Sequence, residues 1–272
     1  MTTIDYALER TPREYERLRA QARMWEAATA RLLDGIGIAP GARCLDAGCG
    51  PGETMRLMAD RAGPQGRVVG LDVDARLVPV TERALGLPQC RVLVHDVTAD
   101  EPIPGGPFDL VYARLLLFHL PSRVAVLRRL WEAVAPGGHL VIQDYDLSVA
   151  TVVPVLPGVG ELARVLRGGF EAIGCDVQAG TRMPALMIEA GIGTPAGTDV
   201  SGHLEPLASG RMMLEQTFRS VLPAALAHGV TTEEKAEETL AMLDEEAMRY
   251  PDRPLLWPLM CGTWARREPA GA

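Results

Sequence analysis

The stretch Leu45-Asp46-Ala47-Gly48-Cys49-Gly50-Pro51-Gly52 closes a short apolar run and precedes a helix-forming segment, Glu53 to Arg61. Glycines at alternate positions let the backbone turn sharply and come close to a ligand, because no Cβ stands in the way. A helix opening at Gly52 aims unpaired N–H groups at whatever lies there. Asp46, two residues before the first glycine, adds a carboxylate at a strand end. That combination suits a ligand with a cationic amino group better than a bare pyrophosphate. Asp72 ends the next apolar run and can accept two hydrogen bonds from a ribose diol, with Val73 beside it. His95-Asp96-Val97 ends the third. There Asp96 can accept from an exocyclic amine, while the Val97 N–H donates to a ring nitrogen.

Groups able to move a proton follow later strands. His119 lies behind the apolar run Leu115-Leu116-Leu117-Phe118, and Tyr145 and Asp146 end the run that starts at His139. His119 and Tyr145 are the candidate catalytic residues. Tyr145, Asp146, Phe170 and His203 are the candidates for holding an acceptor. His95 abuts the third acid and His139 starts its strand at the opposite end, so neither is a candidate base. Asp144 and Asp146 share a strand face without a third ligand, and the five scattered cysteines have no zinc spacing, so no metal site is expected.

Positioning these groups takes alternating strands and helices. Strands are predicted at Arg43–Ala47, Arg67–Asp72, Arg91–His95, Phe108–Ala113 and His139–Tyr145. Helices fall between them, with Pro136-Gly137-Gly138 as the stop before the fifth strand and Asp74 as a helix cap. Apolar strands alternating with amphipathic helices imply a parallel sheet covered on both faces. A long helix is predicted from Pro12 to Asp34, opened by a Thr11-Pro12-Arg13-Glu14 box and ended at Gly35. Beyond residue 150 come a helical stripe (Val155, Val159, Leu162, Leu166, Phe170, Ile173), a helix over Arg182–Ala190 and a strand over Thr198–Leu204. Helices over Ser209–Ala227 and Thr231–Arg249 follow, the second with its own Thr231 capping box, then a last strand over Leu259–Arg266. The helices in excess of a nucleotide-binding unit are expected to form a lid over the carboxyl end of the sheet. The division expected is residues 1–40 as a helical cap, 41–150 as the cofactor-binding core, and 151–272 as the rest of the sheet with inserted lid helices.

Composition bounds the partners. The chain has 272 residues, 47% of them apolar, which marks it as globular, and a formal net charge of −8, which disfavours nucleic acid and anionic membrane. No apolar run is long enough to span a bilayer, and the N-terminus lacks the basic and apolar blocks of a signal peptide. A cytoplasmic protein with free thiols is expected, as a monomer or a homodimer.

The loop from Leu45 to Gly52 resembles the acidic-x-Gly-x-Gly-x-Gly signature of class I S-adenosylmethionine (SAM)-dependent methyltransferases, small-molecule branch. The likeness extends over about residues 40–145. Phe108-Asp109-Leu110-Val111, Pro136-Gly137-Gly138, Tyr112-Ala113-Arg114-Leu115 and His119-Leu120-Pro121 stand where that family has comparable stretches. The resemblance implies an α/β, Rossmann-like, seven-stranded, mostly parallel sheet whose last strand is antiparallel and inserted beside strand five, with the helical lid added. It implies SAM as cofactor, S-adenosylhomocysteine as its product, and a small organic acceptor, a natural-product intermediate for example. Asp46, Gly48, Cys49, Gly50 and Gly52 would then hold the methionine part, Asp72 and Val73 the ribose, Asp96 and Val97 the adenine, and Arg114 and Leu115 the sulfonium end. Arg17, Gln21 and Trp25 of the first helix resemble the cap over the cofactor carboxylate. Two rival readings stand beside this one. A NAD-dependent oxidoreductase usually has GxGxxG directly after the strand and an apolar residue at the position of Asp46. A methyltransferase-like SAM-binding protein with non-methylating chemistry would keep the loop and change only the acceptor pocket.

Overall fold

A computed structural model describes residues 12–269. The central sheet has seven strands in the order β3-β2-β1-β4-β5-β10-β7. Its members are β1 (Arg43–Ala47), β2 (Arg67–Asp72), β3 (Cys90–Val94), β4 (Phe108–Arg114), β5 (Val134–Asp146), β7 (Gly197–Ser201) and β10 (Leu259–Arg266). The first five run parallel; β10 is antiparallel to both β5 and β7 and lies between them. The predicted last strand therefore stands where the resemblance put it. The chain reverses its direction across the sheet between β1 and β4, and in open α/β sheets that switch point forms a ligand crevice.

Helices α3 (Glu53–Ala62), α4 (Leu77–Leu85), α5 (Arg123–Glu132) and α7 (Ala179–Glu189) cover this sheet, with α2 (Glu26–Ile36) on the same face as α3. One core layer joins Leu45, Val69 and Val111 to Leu127, Leu130, Met183 and Met187; the other joins Cys44, Val68 and Tyr112 to Leu33, Met55 and Met58. Burial of both sheet faces explains why β1 and β2 read as unbroken apolar runs. Met183 and Met187 fill this core, and α7, counted in sequence among the extra helices, is a sheet helix.

The remaining elements form the lid: α6 (Pro157–Ala172), α8 (Leu207–Ala227), α9 (Glu233–Arg249) and a small antiparallel sheet of β6 (Thr151–Val152), β9 (Pro254–Leu256) and β8 (Leu204–Pro206). Their core is Leu162, Val165, Leu207, Phe218, Leu243 and Leu255, and it reaches Trp25 and Met260. Each such side chain removed from water contributes roughly 1.5–3 kcal/mol, so the lid carries a core of its own. No helix among the described residues is long and apolar enough to cross a membrane.

Four local expectations are corrected. The long first helix is two, α1 (Pro12–Met24) and α2, broken at Trp25 (φ −99°, ψ 2°) and ended by Gly37 at φ 79° instead of Gly35. The Thr11 box lies outside the described residues. The predicted strand Thr198–Leu204 splits: β7 joins the main sheet, β8 joins the small one, and His203 sits in the link. Pro136-Gly137-Gly138 lies inside β5, because Gly137 N–H donates to Arg267 O and Gly138 O accepts from Arg267 N–H. The last lid helix is capped one residue later than expected, by Thr232, which accepts from Lys235 N–H at 3.3 Å.

Candidate active site

The bend after β1 is built on positive φ: 72° at Gly48, 48° at Gly50 and 84° at Gly52. Gly48 and Cys49 N–H groups both donate to Leu71 O, which pins the bend to the tip of β2. Thr81 Oγ1 donates to Gly50 O at 2.9 Å and closes the far side. A Cβ on Gly52 would lie 2.7 Å from Thr81 Cγ2. Gly52→Ala therefore combines a left-handed backbone with a clash against a buried side chain, and is expected to weaken cofactor binding at least about tenfold (~1.4 kcal/mol), measurable by calorimetry. The Cys49 thiol packs against Gly70, and burial raises its pKa well above the ordinary value. It offers the cavity backbone and packing, not a nucleophile.

A cavity of about 560 Å³ opens at these strand tips, between the sheet, α1 and the lid. Asp46 lies in its wall, 2% exposed. Among the described residues no donor reaches its Oδ2. Burial pushes the Asp46 carboxyl up to about 7; Arg114 opposes the rise and Asp72 adds to it. A buried acceptor without a donor is costly unless a ligand completes it. Asp72 accepts the Gly50 N–H at 3.0 Å and the Asp74 N–H at 2.9 Å. It lines the same cavity wall as Asp46. Asp96 spends Oδ1 on Thr98 N–H and Oγ1, while Val73 and Val97 line the same wall. His95 Nε2, also in the wall, is the second buried atom there without a partner among the described residues. Asp74, expected as a helix cap, accepts the Arg76 N–H at the entry to α4 and also the Arg76 guanidinium and Tyr15 Oη, the last a clasp between α1 and the loop after β2. Its hydrogen bonds to Arg76 hold the Asp74 carboxyl down at about 2.

At the tip of β4, Arg114 donates to Thr29 Oγ1 at 3.1 Å, and Leu115 takes φ 53°, among the described residues the one non-glycine with positive φ. Its N–H donates to Gln143 O, so the strained residue is held between β4 and β5, in the cavity wall. Strain of this kind persists where surrounding structure over-determines it and gathers at ligand sites.

The candidate catalytic and acceptor residues divide. His119, in the 3₁₀ turn Leu117–His119, lines the cavity with Phe170; their ring centroids are 6.3 Å apart. Burial, with the Arg17 and Arg123 charges, lowers the His119 pKa to about 4, so the imidazole is neutral near pH 7. Its Nδ1 lies 3.7 Å from Cys175 Sγ, whose thiol burial pushes up to about 12. Tyr145 also reaches the cavity, but its hydroxyl accepts from Gln21 Nε2 at 2.9 Å and Trp25 Nε1 at 2.6 Å, and burial raises its pKa. That is a strut fastening α1 to β5, not the geometry of a base. Tyr145→Phe leaves the buried indole N–H unpaired; a cost of about 1–3 kcal/mol and a lower melting temperature are expected, read by calorimetric unfolding.

Asp146 and His203 lie outside the cavity. Strand alternation turns Asp146 away from Tyr145, toward α7, where it accepts from Ser148 N–H and Oγ and from Thr181 Oγ1. His203 packs edge-on to Trp25, with its Nε2 3.9 Å from Glu205 Oε1. Sequence reading missed Arg167 of α6, which lines the cavity one turn before Phe170. The available signal was a cation beside the apolar stripe of that helix.

Residues 44–138 match the methyltransferase domain family. The match covers that segment and not the whole chain. Trans-aconitate 2-methyltransferase of Variovorax paradoxus is 40% identical over 116 residues, which is 42% of this chain and 43% of that protein. The chain spans about half or less of the length of the curated relatives it matches. In overall fold it resembles a candidate methyltransferase from Bacillus halodurans (TM-score 0.61, 14% identity, covering 89% of this chain and 99% of the other). It also resembles Haemonchus contortus phosphoethanolamine N-methyltransferase 2, solved with phosphomonomethylethanolamine and S-adenosylhomocysteine (TM-score 0.57, 16% identity, covering 99% and 61%). Within the methyltransferase domain lie the glycine bend and the three strand-tip carboxylates Asp46, Asp72 and Asp96. Leu115 and His119 lie within it as well, whereas α1, α2, α6, α8 and α9 lie outside it.

Proposed function

We propose that the chain is a SAM-dependent methyltransferase acting on a small organic acceptor, of the kind handled in natural-product biosynthesis. The observation that carries this reading is the orphaned Oδ2 of Asp46, a buried carboxylate in the cavity wall at the end of β1. It calls for a cationic donor, which the amino group of SAM provides, and it repels the pyrophosphate of a nicotinamide dinucleotide. Asp72 would take the ribose diol; Asp96 and the Val97 N–H would take the adenine edge. Arg17, buried in the cavity wall on α1, would with Gln21 and Trp25 cover the cofactor's carboxylate end.

Bound SAM supplies a methyl group on a sulfonium, an electrophile that needs alignment more than covalent help. The chain's part is to hold the acceptor in line, which is worth roughly 7–11 kcal/mol when near-attack geometry is reached, and to keep water out behind the lid. His119, a neutral imidazole in the cavity wall, takes the acceptor's proton. The relatives act, by their names, on trans-aconitate and phosphoethanolamine. A cavity of about 560 Å³ with an apolar α6–α8 wall fits the same scale of molecule. The organisation proposed is a cap over residues 1–40, a cofactor core over 41–150, and sheet with lid beyond.

The test is calorimetry with S-adenosylhomocysteine, NADH as control, followed by mass analysis of products from an acceptor panel incubated with SAM. Micromolar binding of the former alone, and a product heavier by one methyl, are expected. NADH binding in its place contradicts the reading; cofactor binding with a transformed acceptor that gains no methyl favours non-methylating chemistry.

A further inference from the structure

The polar groups of the cavity are segregated by charge. Every carboxylate in its wall (Asp46, Glu53, Asp72, Asp74 and Asp96) comes from the segment spanning the tip of β1 to the tip of β3. The wall formed by α6 and α8 contributes Leu162, Leu166, Phe170, Met213, Leu214 and Thr217, and a single charged side chain, Arg167. Arg164, one turn earlier on α6, points elsewhere and is paired: it donates twice to Glu161 and once to Val230 O. Arg167 is different. Among the described residues no hydrogen bond, ion pair or ring contact engages it.

A guanidinium half-buried against an apolar wall gives up part of its hydration, and its fork of donors matches a carboxylate in plane. Phe170 follows Arg167 by three residues, so the two share a helix face about 4.5 Å apart along the axis. The Phe170 ring in turn meets Phe118 and His119. Cation and proton acceptor thus lie along one wall, separated by aromatic surface.

We propose that the acceptor is a small organic acid with an apolar body, and that Arg167 reads its carboxylate while the body lies against Phe170 and Leu166. This rests on the methyltransferase reading of the same cavity. One spare cation balances one negative charge, which favours a monocarboxylate over a phosphate ester or a polyacid.

The test is calorimetry on the full chain loaded with S-adenosylhomocysteine, using cinnamate and octanoate, their neutral amides, and phenyl phosphate. The acids are expected to bind at least tenfold more tightly than the amides and more tightly than phenyl phosphate. Arg167→Gln should abolish the preference and Arg167→Lys should keep part of it, with S-adenosylhomocysteine affinity and melting temperature unchanged in both. Equal binding of acids and amides, no binding of any probe, a preference for the phosphate, or a preference that survives in Arg167→Gln would each overturn the proposal. If S-adenosylhomocysteine itself does not bind, the methyltransferase reading fails; the acid-against-amide comparison on the unloaded chain then decides the role of Arg167 separately.

Discussion

Asp46→Asn is expected to lose cofactor and gain stability at once. The carboxyl sits near 7 in the folded chain against an ordinary 3.8, chiefly through burial. A folded-state pKa above the unfolded one means that the folded chain binds more protons between those values, so stability falls as pH rises from about 4 to about 7 and stays reduced above it. That rise corresponds to about 4 kcal/mol, an upper figure for the cost that wild type carries at pH 8. The neutral amide avoids it, so the unliganded variant should melt higher than wild type at pH 8 and alike at pH 4. Binding moves the other way. Loss of a buried charge-assisted contact costs on the order of 3–5 kcal/mol, a weakening of at least a hundredfold for S-adenosylhomocysteine. In wild type that affinity should fall about tenfold per pH unit below 7, because only the ionised carboxylate accepts the ligand's ammonium. Calorimetry and thermal melts at several pH values read both arms; a variant that binds normally, or that melts lower at pH 8, refutes the assignment.

The second large effect falls on His119. As general base it contributes on the order of 10²–10⁴ in rate, so His119→Ala should lower kcat by that factor with cofactor affinity little changed. Its pKa near 4 sets the pH profile. The proton-accepting form persists far below pH 6.5, so the rate should show no acid limb near the ordinary histidine value and decline only toward pH 4, once cofactor binding is held saturating. A folded-state pKa below the unfolded one has the opposite sign to that of Asp46: this histidine adds stability above about pH 6.5 and loses it as pH falls through 4. An activity limb centred at 6.5 that disappears in His119→Gln would contradict the lowered pKa, and an unaltered kcat in His119→Ala would remove it from proton transfer.

The sheet was legible because its signals are local. The runs at Arg43–Ala47 and Arg67–Asp72 are buried on both faces and stopped by Gly48 and by Asp72, and both strands end where their residues say. The bend is equally plain, since Gly48, Gly50 and Gly52 do adopt the left-handed backbone that their spacing implies. What stayed hidden depends on distant parts of the chain. Helical pattern continues through Trp25, yet the helix breaks there, where the indole reaches Tyr145 on β5, 120 residues away. Tyr145 and Asp146 were read together as acceptor residues, but alternation sends them to opposite faces, and only knowing which face meets the lid separates them. His203 was assigned to one strand because Thr198–Leu204 is a single polar–apolar run; the run divides between two sheets. Arg167 looks like any solvated helix charge until the fold turns its side of α6 toward the cavity.

A crystal structure of the chain soaked with S-adenosylhomocysteine bears most directly on what these strand tips hold. The ligand's amino nitrogen is expected within hydrogen-bond distance of Asp46 Oδ2, its ribose hydroxyls on Asp72, and its sulfur facing the wall that carries His119 and Phe170. The same molecule found outside this cavity, or lying in it with Asp46 Oδ2 still unpaired, would contradict the assignment of cofactor and chemistry together.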